Sequence, residues 1–68
     1  MAYYKKYHII VADPYRGEDD KQDCDTLKEA ATLAREYIEM GWDRAKVFCD
    51  HKVVREYIKF NGRLRRLI

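Results

Sequence analysis

Thr26 to Gly41, TLKEAATLAREYIEMG, decides the fold, because this stretch alone combines a helix start, a periodic apolar face and a helix stop. Thr26 followed by Glu29 is a capping-box pattern, in which the Thr hydroxyl accepts the backbone N–H three residues on. Gly41 falls just past the last periodic residue, where a positive φ closes a helix at no steric cost. Steps of 100° from Leu27 place Leu27, Ala30, Ala31, Ala34 and Ile38 on one stripe, with Leu33, Tyr37 and Met40 on its shoulder. Lys28, Thr32, Arg35, Glu36 and Glu39 face away. The spacing predicts an amphipathic helix over 27–40.

Downstream, Arg44 to Cys49, RAKVFC, alternates Ala45, Val47 and Cys49 with Lys46 and Phe48, and predicts a strand over 44–49. A turn at Asp50-His51-Lys52 leads into VVREYIKF, rich in β-branched and aromatic residues, a strand over 53–60 that forms a hairpin with the one before it. Asn61-Gly62 is a type I′ turn signal. Residues 63–67 are then either a short fourth strand or a loosely held tail. Upstream, YYKKYHIIVA predicts a strand over 3–12, ended by Asp13-Pro14. Residues 13–25, DPYRGEDDKQDCD, show no period and read as an acidic, solvent-facing loop.

These elements predict a single α+β domain, one amphipathic helix on a three- or four-stranded sheet in the order β-α-β-β(-β). The first crossover is right-handed if the strands it joins run parallel. One conflict stands in the pattern. If Ala45, Val47 and Cys49 face the helix across an even loop, their partners are Val54, Glu56 and Ile58, which turns Glu56 into the core. A bulge, an odd loop or an Arg neighbour at an edge would relieve it.

Sixty-eight residues bury too little surface for a deep catalytic cleft. No charged start leads into an apolar core segment and no apolar run approaches membrane length, so the expectation is a cytoplasmic protein with no membrane contact. Cys24 and Cys49 have no CxxC or Cys/His spacing and read as thiols of a reducing compartment. Acidic neighbours at Asp23 and Asp25 oppose a reactive thiolate at Cys24. The chain has no serine, and its two histidines fall in a strand and a turn, so no nucleophile, base and orienter assemble and no enzyme is expected. The acidic run lacks the DxDxDG spacing of a calcium loop, and neither metal nor other cofactor is expected.

The formal charge of +2 conceals a segregation. Residues 13–25 carry six acids against Arg16 and Lys21; residues 44–68 carry eight cations against Asp50 and Glu56. Such polarity steers charged partners. The acidic stretch Glu18, Asp19, Asp20, Asp23 and Asp25 is the candidate protein-binding surface, suited to a basic groove that normally holds phosphate. Arg55, Tyr57, Lys59, Phe60, Arg63, Arg65 and Arg66 are the candidate surface for nucleic acid or another partner, since cations neutralise phosphates and aromatic rings stack on unpaired bases. Leu33, Tyr37 and Met40 are the candidate self-association patch. Tyr3, Tyr4 and Tyr7, interleaved with Lys5 and Lys6, also suit an interface.

Taken together, YYKKYHIIVAD, a polar loop, TLKEA, a helix ending EMGW, and VVREYIKFNGRL resemble small single-domain proteins of bacterial viruses and mobile elements, most of them without an assigned activity. Some small proteins of that origin inhibit host-defence nucleases, anti-CRISPR proteins among them. The resemblance implies a non-enzymatic binder and carries over no site residue. The expected partner is a protein, with nucleic acid as the alternative and a homodimer or small structural homo-oligomer as a third reading.

Overall fold

Helix α1 (Leu27–Glu39) starts and stops where its sequence directs. Thr26 is its N-cap, in extended conformation, and the Thr hydroxyl accepts a 3.1 Å hydrogen bond from the Glu29 amide. At the other end the Gly41 amide donates to the Ile38 carbonyl and the Trp42 amide to the Tyr37 carbonyl, a Schellman closure made with Gly41 at φ 115°. Ala30, Ala34 and Ile38 are fully buried on one side of the helix. With two alanines on that stripe, most core bulk comes from the sheet beneath, from Ile9, Val11, Val47 and Tyr57.

The computed structural model describes residues 6–68. Around the helix they form β1 (Tyr7–Asp13), β2 (Gly17–Cys24), β3 (Arg44–Cys49), β4 (Lys52–Phe60) and β5 (Arg63–Arg66). These make one sheet in the order β2-β1-β3-β4-β5, every neighbouring pair antiparallel. The domain is α+β, with one helix on a five-stranded antiparallel sheet.

The largest difference from expectation is β2, which occupies most of the segment read as a loop. Asp13 closes the turn before it, accepting backbone hydrogen bonds from Tyr15 at 2.8 Å and Arg16 at 3.3 Å, and Gly17 takes φ 76° to start the return strand. Because β2 reverses the chain before the helix, β1 and β3 are adjacent and antiparallel, not joined by a crossover. The crossing helix instead links β2 to β3, with β1 between them. Strand β1 runs over Tyr7–Asp13 with Lys6 before it, and the part of the expected strand at Tyr3, Tyr4 and Lys5 lies outside the described residues.

A bulge settles the position of Glu56. The β3–β4 loop has two residues, Asp50 and His51, both at positive φ, so Cys49 registers with Lys52 and Phe48 with Val53. Val47 then registers with Arg55, which leaves Val54 as the extra residue. Val54 packs on the core, Tyr57 opposes Ala45 in the core at 4 % exposure, and Glu56 turns to the far face opposite Lys46. The second turn uses Asn61 and Gly62 at φ 51° and 75°, as a type I′ turn requires, and β5 follows. The Leu67 amide donates to the Glu56 carbonyl at 2.8 Å, tying down the residue beyond β5.

Candidate binding surfaces

Strand β2 is an edge strand, and its acids are held by backbone pairing to β1. Glu18, Asp19, Asp20 and Asp23 are all exposed, as is Asp25 in the turn before the helix. Ile10 registers with Asp20 and His8 with Asp23, so two residues, Lys21 and Gln22, oppose Ile9 alone. That bulge matters for charge. Asp20 and Asp23, three apart, would point to opposite faces of a regular strand. The extra residue brings both to His8. Its Nδ1 meets the Asp23 carboxylate and its Nε2 lies 3.4 Å from Asp20 Oδ1. The hydrogen bond to Asp23 raises the His8 pKa above its ordinary value, Asp20 adds to the effect, and partial burial opposes it. Asp19 points to the helix side, where Lys21 Nζ sits 2.9 Å from its carboxylate.

The helix-side shoulder is largely covered by this strand. The Tyr37 hydroxyl donates to Gln22 Oε1 at 3.4 Å, and Lys21 Nζ lies 5.8 Å from the Tyr37 ring centre. Leu33 and Tyr37 pack against the core as half-buried residues, and only Met40 of the three expected self-association residues is widely exposed, at 65 %. Trp42 is buried, with the Arg16 guanidinium 3.8 Å and Lys21 Nζ 4.8 Å from its ring centre. Arg16 also donates to the Gly41 carbonyl and contacts Asp13. Nothing in the spacing of Arg16 and Trp42 signals this contact, which depends on β2 existing.

The basic candidates are divided by strand alternation. Phe60, Arg63 and Arg65 fall on the face turned away from the helix, with the Arg65 guanidinium 5.7 Å from the Phe60 ring centre. Arg66 registers with Tyr57 and Lys59 with Leu64, on the other face. Tyr57 is a core residue and offers no ring for stacking. Arg55 is half-buried at the β4 bulge, donating to the Val54 carbonyl at 2.7 Å. Two cations outside the predicted set, Arg44 and Lys46, precede Phe48 along the open face of β3, and Arg44 Nε lies 3.4 Å from Glu56 Oε2.

Among the described residues, no group of three or more His, Cys, Asp or Glu is placed to hold a metal ion, and no helix is long and apolar enough to cross a membrane. Comparison with family models, curated proteins and solved structures finds no match to this chain.

Proposed function

We propose that the protein is a non-enzymatic binding module whose acidic edge strand docks into a basic groove of another protein, with the consequence of inhibiting an enzyme that acts on nucleic acid. One observation supports this above the others: four exposed carboxylates, Glu18, Asp19, Asp20 and Asp23, stand on a single edge strand. A strand advances about 3.3 Å per residue, close to the roughly 3.4 Å per phosphate along one strand of a duplex. Glu18 and Asp20, on the face turned away from the helix, therefore present two negative charges about 6.6 Å apart along the strand, near the spacing of every second phosphate, while Asp19 points to the helix side beside Lys21. The sheet fixes them before binding, which reduces the ordering cost. The resemblance to small proteins of bacterial viruses points to the same class of target, a host-defence nuclease.

The test is capture of partners from host lysate with and without added nuclease, using the native chain and a variant carrying Glu18→Lys, Asp19→Lys and Asp20→Lys. A protein partner retained after nuclease treatment and lost with the variant, with an affinity that falls as salt rises, is the expected result. Unchanged affinity in a folded variant eliminates the acidic-strand reading.

A second reading is favoured by the exposed Phe60 with Arg65 against it and Arg63 beside it. This cluster suits a single strand of nucleic acid, with the ring stacking on a base and the arginines on phosphates. A log-linear loss of affinity with salt for a mixed nucleic-acid pool would support it. No binding at low salt rejects it.

A further inference from the structure

The sheet face turned away from α1 carries an apolar band: Ile10 and Ala12 on β1, Phe48 on β3 and Ile58 on β4 are half-buried, and Phe60 is 52 % exposed. An antiparallel sheet covered on one side ordinarily shows a polar second face. Here acids gather at one edge and arginines at the other, with Arg44 and Lys46 on β3 and Glu56 on β4 as the charges between them. Glu18, Asp20 and Asp23 line the β2 edge of this face, and Arg63 and Arg65 line the β5 edge.

We infer that this face binds a second copy of the chain, sheet against sheet, about a two-fold axis running parallel to the strands. Two axes can relate stacked faces. An axis across the strands lays β2 over β2 and β5 over β5, acid on acid and arginine on arginine. An axis along the strands lays β2 of each copy over β5 of the other and β1 over β4. Only the second joins opposite charges at both edges while placing apolar strands on apolar strands.

The register makes the match specific. Glu18 pairs with Ala12, Ala12 with Arg44, Arg44 with Ile58 and Ile58 with Arg65, so these residues form one row across the sheet. An axis along the strands keeps rows at the same level, so Glu18 of one copy meets Arg65 of the other, and Ala12 meets Ile58. Sheets packed this way cross at about 30°, which fans the contacts outward from the centre. The cost falls on β3, which lies along the axis and brings Arg44 and Lys46 toward their counterparts. Glu56 lies 3.4 Å from Arg44 and directly opposite Lys46 in register, and so offsets part of that repulsion.

Five strands about 4.8 Å apart and six or seven residues long at about 3.3 Å each give a face of roughly 500 Å² in projection. Two such faces bury about 1,000 Å², at the low end of specific interfaces. An interface of that size suits weak, reversible association. Glu18 and Asp20 serve both this contact and the acidic-strand docking, so a basic partner and the second copy compete for them.

Sedimentation equilibrium from low micromolar to millimolar protein tests the inference, with circular dichroism confirming that each chain is folded. The native chain reaches a limit at two copies. Glu18→Arg with Asp20→Arg, and separately Arg63→Glu with Arg65→Glu, each weaken self-association at least about tenfold. Mixed in equal amounts the two variants pair with each other, because both edge contacts in the mixed dimer then join opposite charges. A native chain that stays monomeric overturns the inference, as does a mixture that stays monomeric. Growth beyond two copies overturns it in favour of edge-to-edge addition of β5 to β2. None of these outcomes depends on the lysate capture described above.

Discussion

The guanidinium of Arg16 lies 3.8 Å from the ring centre of Trp42, so the turn between β1 and β2 is clamped to the residue that follows the helix. Trp42 is 7 % exposed and closes the end of the core beneath a strand that contributes one fully buried residue of its own, Cys24. The acidic strand is thus positioned by a contact between a turn and a helix end, backed by its pairing to β1.

Arg16→Ala should lower stability by about 1 kcal/mol, the range of a partly exposed cation–π contact, which corresponds to a fall of about 4–8 °C in Tm for a domain of this size. Trp42→Ala removes a large buried ring and should cost about 3–5 kcal/mol, enough to unfold a large share of so small a chain. Thermal melts of both variants check this. An Arg16→Ala melt that overlays the native one would show that the clamp is incidental.

His8 sets a pH dependence. Its folded-state pKa is raised above 6.5, chiefly by the hydrogen bond to Asp23 and further by Asp20. The group therefore adds stability that is fully present below pH 6.5 and is lost as pH rises through the raised value. The side chain is 37 % exposed, so the effect belongs to the surface range of about 0.2–1 kcal/mol. Urea unfolding should find the native chain more stable than His8→Gln at pH 6, with the gap closing as pH rises through the raised folded-state value. A gap that widens with pH would contradict the assignment.

The helix was legible because its apolar stripe, cap and stop agree, and β3 because its alternation is covered on one face. Strand β2 was not legible. GEDDKQD is exposed on nearly every residue, so no burial imposes a period on its sequence, and its place in the sheet comes from backbone pairing and from the Asp13 turn. The candidate site was half legible for the same reason. Composition located the acids, but the bulge opposite Ile9, which directs Asp20 and Asp23 to one histidine, leaves no mark in a polar sequence. The Glu56 conflict shows the reverse case: a buried register exposes an inconsistency that only a bulge, an odd loop or a compensating neighbour can remove.

Deleting Val54 probes that register directly. Without the extra residue the pairing runs regularly from the same two-residue turn, Val53 on Phe48, Arg55 on Val47, Glu56 on Lys46 and Tyr57 on Ala45, so Tyr57 stays in the core and Glu56 on the far face. The deletion should therefore keep a cooperative unfolding transition, at a Tm lowered by the loss of the Val54 side chain from the core, as Val54→Ala, which keeps the bulge, also lowers it. A deletion variant that loses its cooperative transition would show that the strand needs the bulge itself and not only the register on either side of it.

The two cysteines report on the sheet from the helix side. Cys24 and Cys49 both register with Tyr7, one from β2 and one from β3, so they stand two strand spacings apart across β1. That is about 9–10 Å between Cα atoms, beyond the roughly 7 Å that a disulfide spans. Mild oxidation of the folded monomer should leave both thiols titratable, with no internal cross-link by mass spectrometry. Cys24 is fully buried and Cys49 half-buried. A thiol reagent should therefore modify Cys49 first, and Cys24 only as fast as β2 detaches from β1. Arg16→Ala, which loosens the clamp on β2, should speed the Cys24 reaction and leave that of Cys49 unchanged. Equal acceleration at both cysteines would mean that the variant opens the whole domain, and no change at Cys24 would mean that Trp42 holds β2 without Arg16.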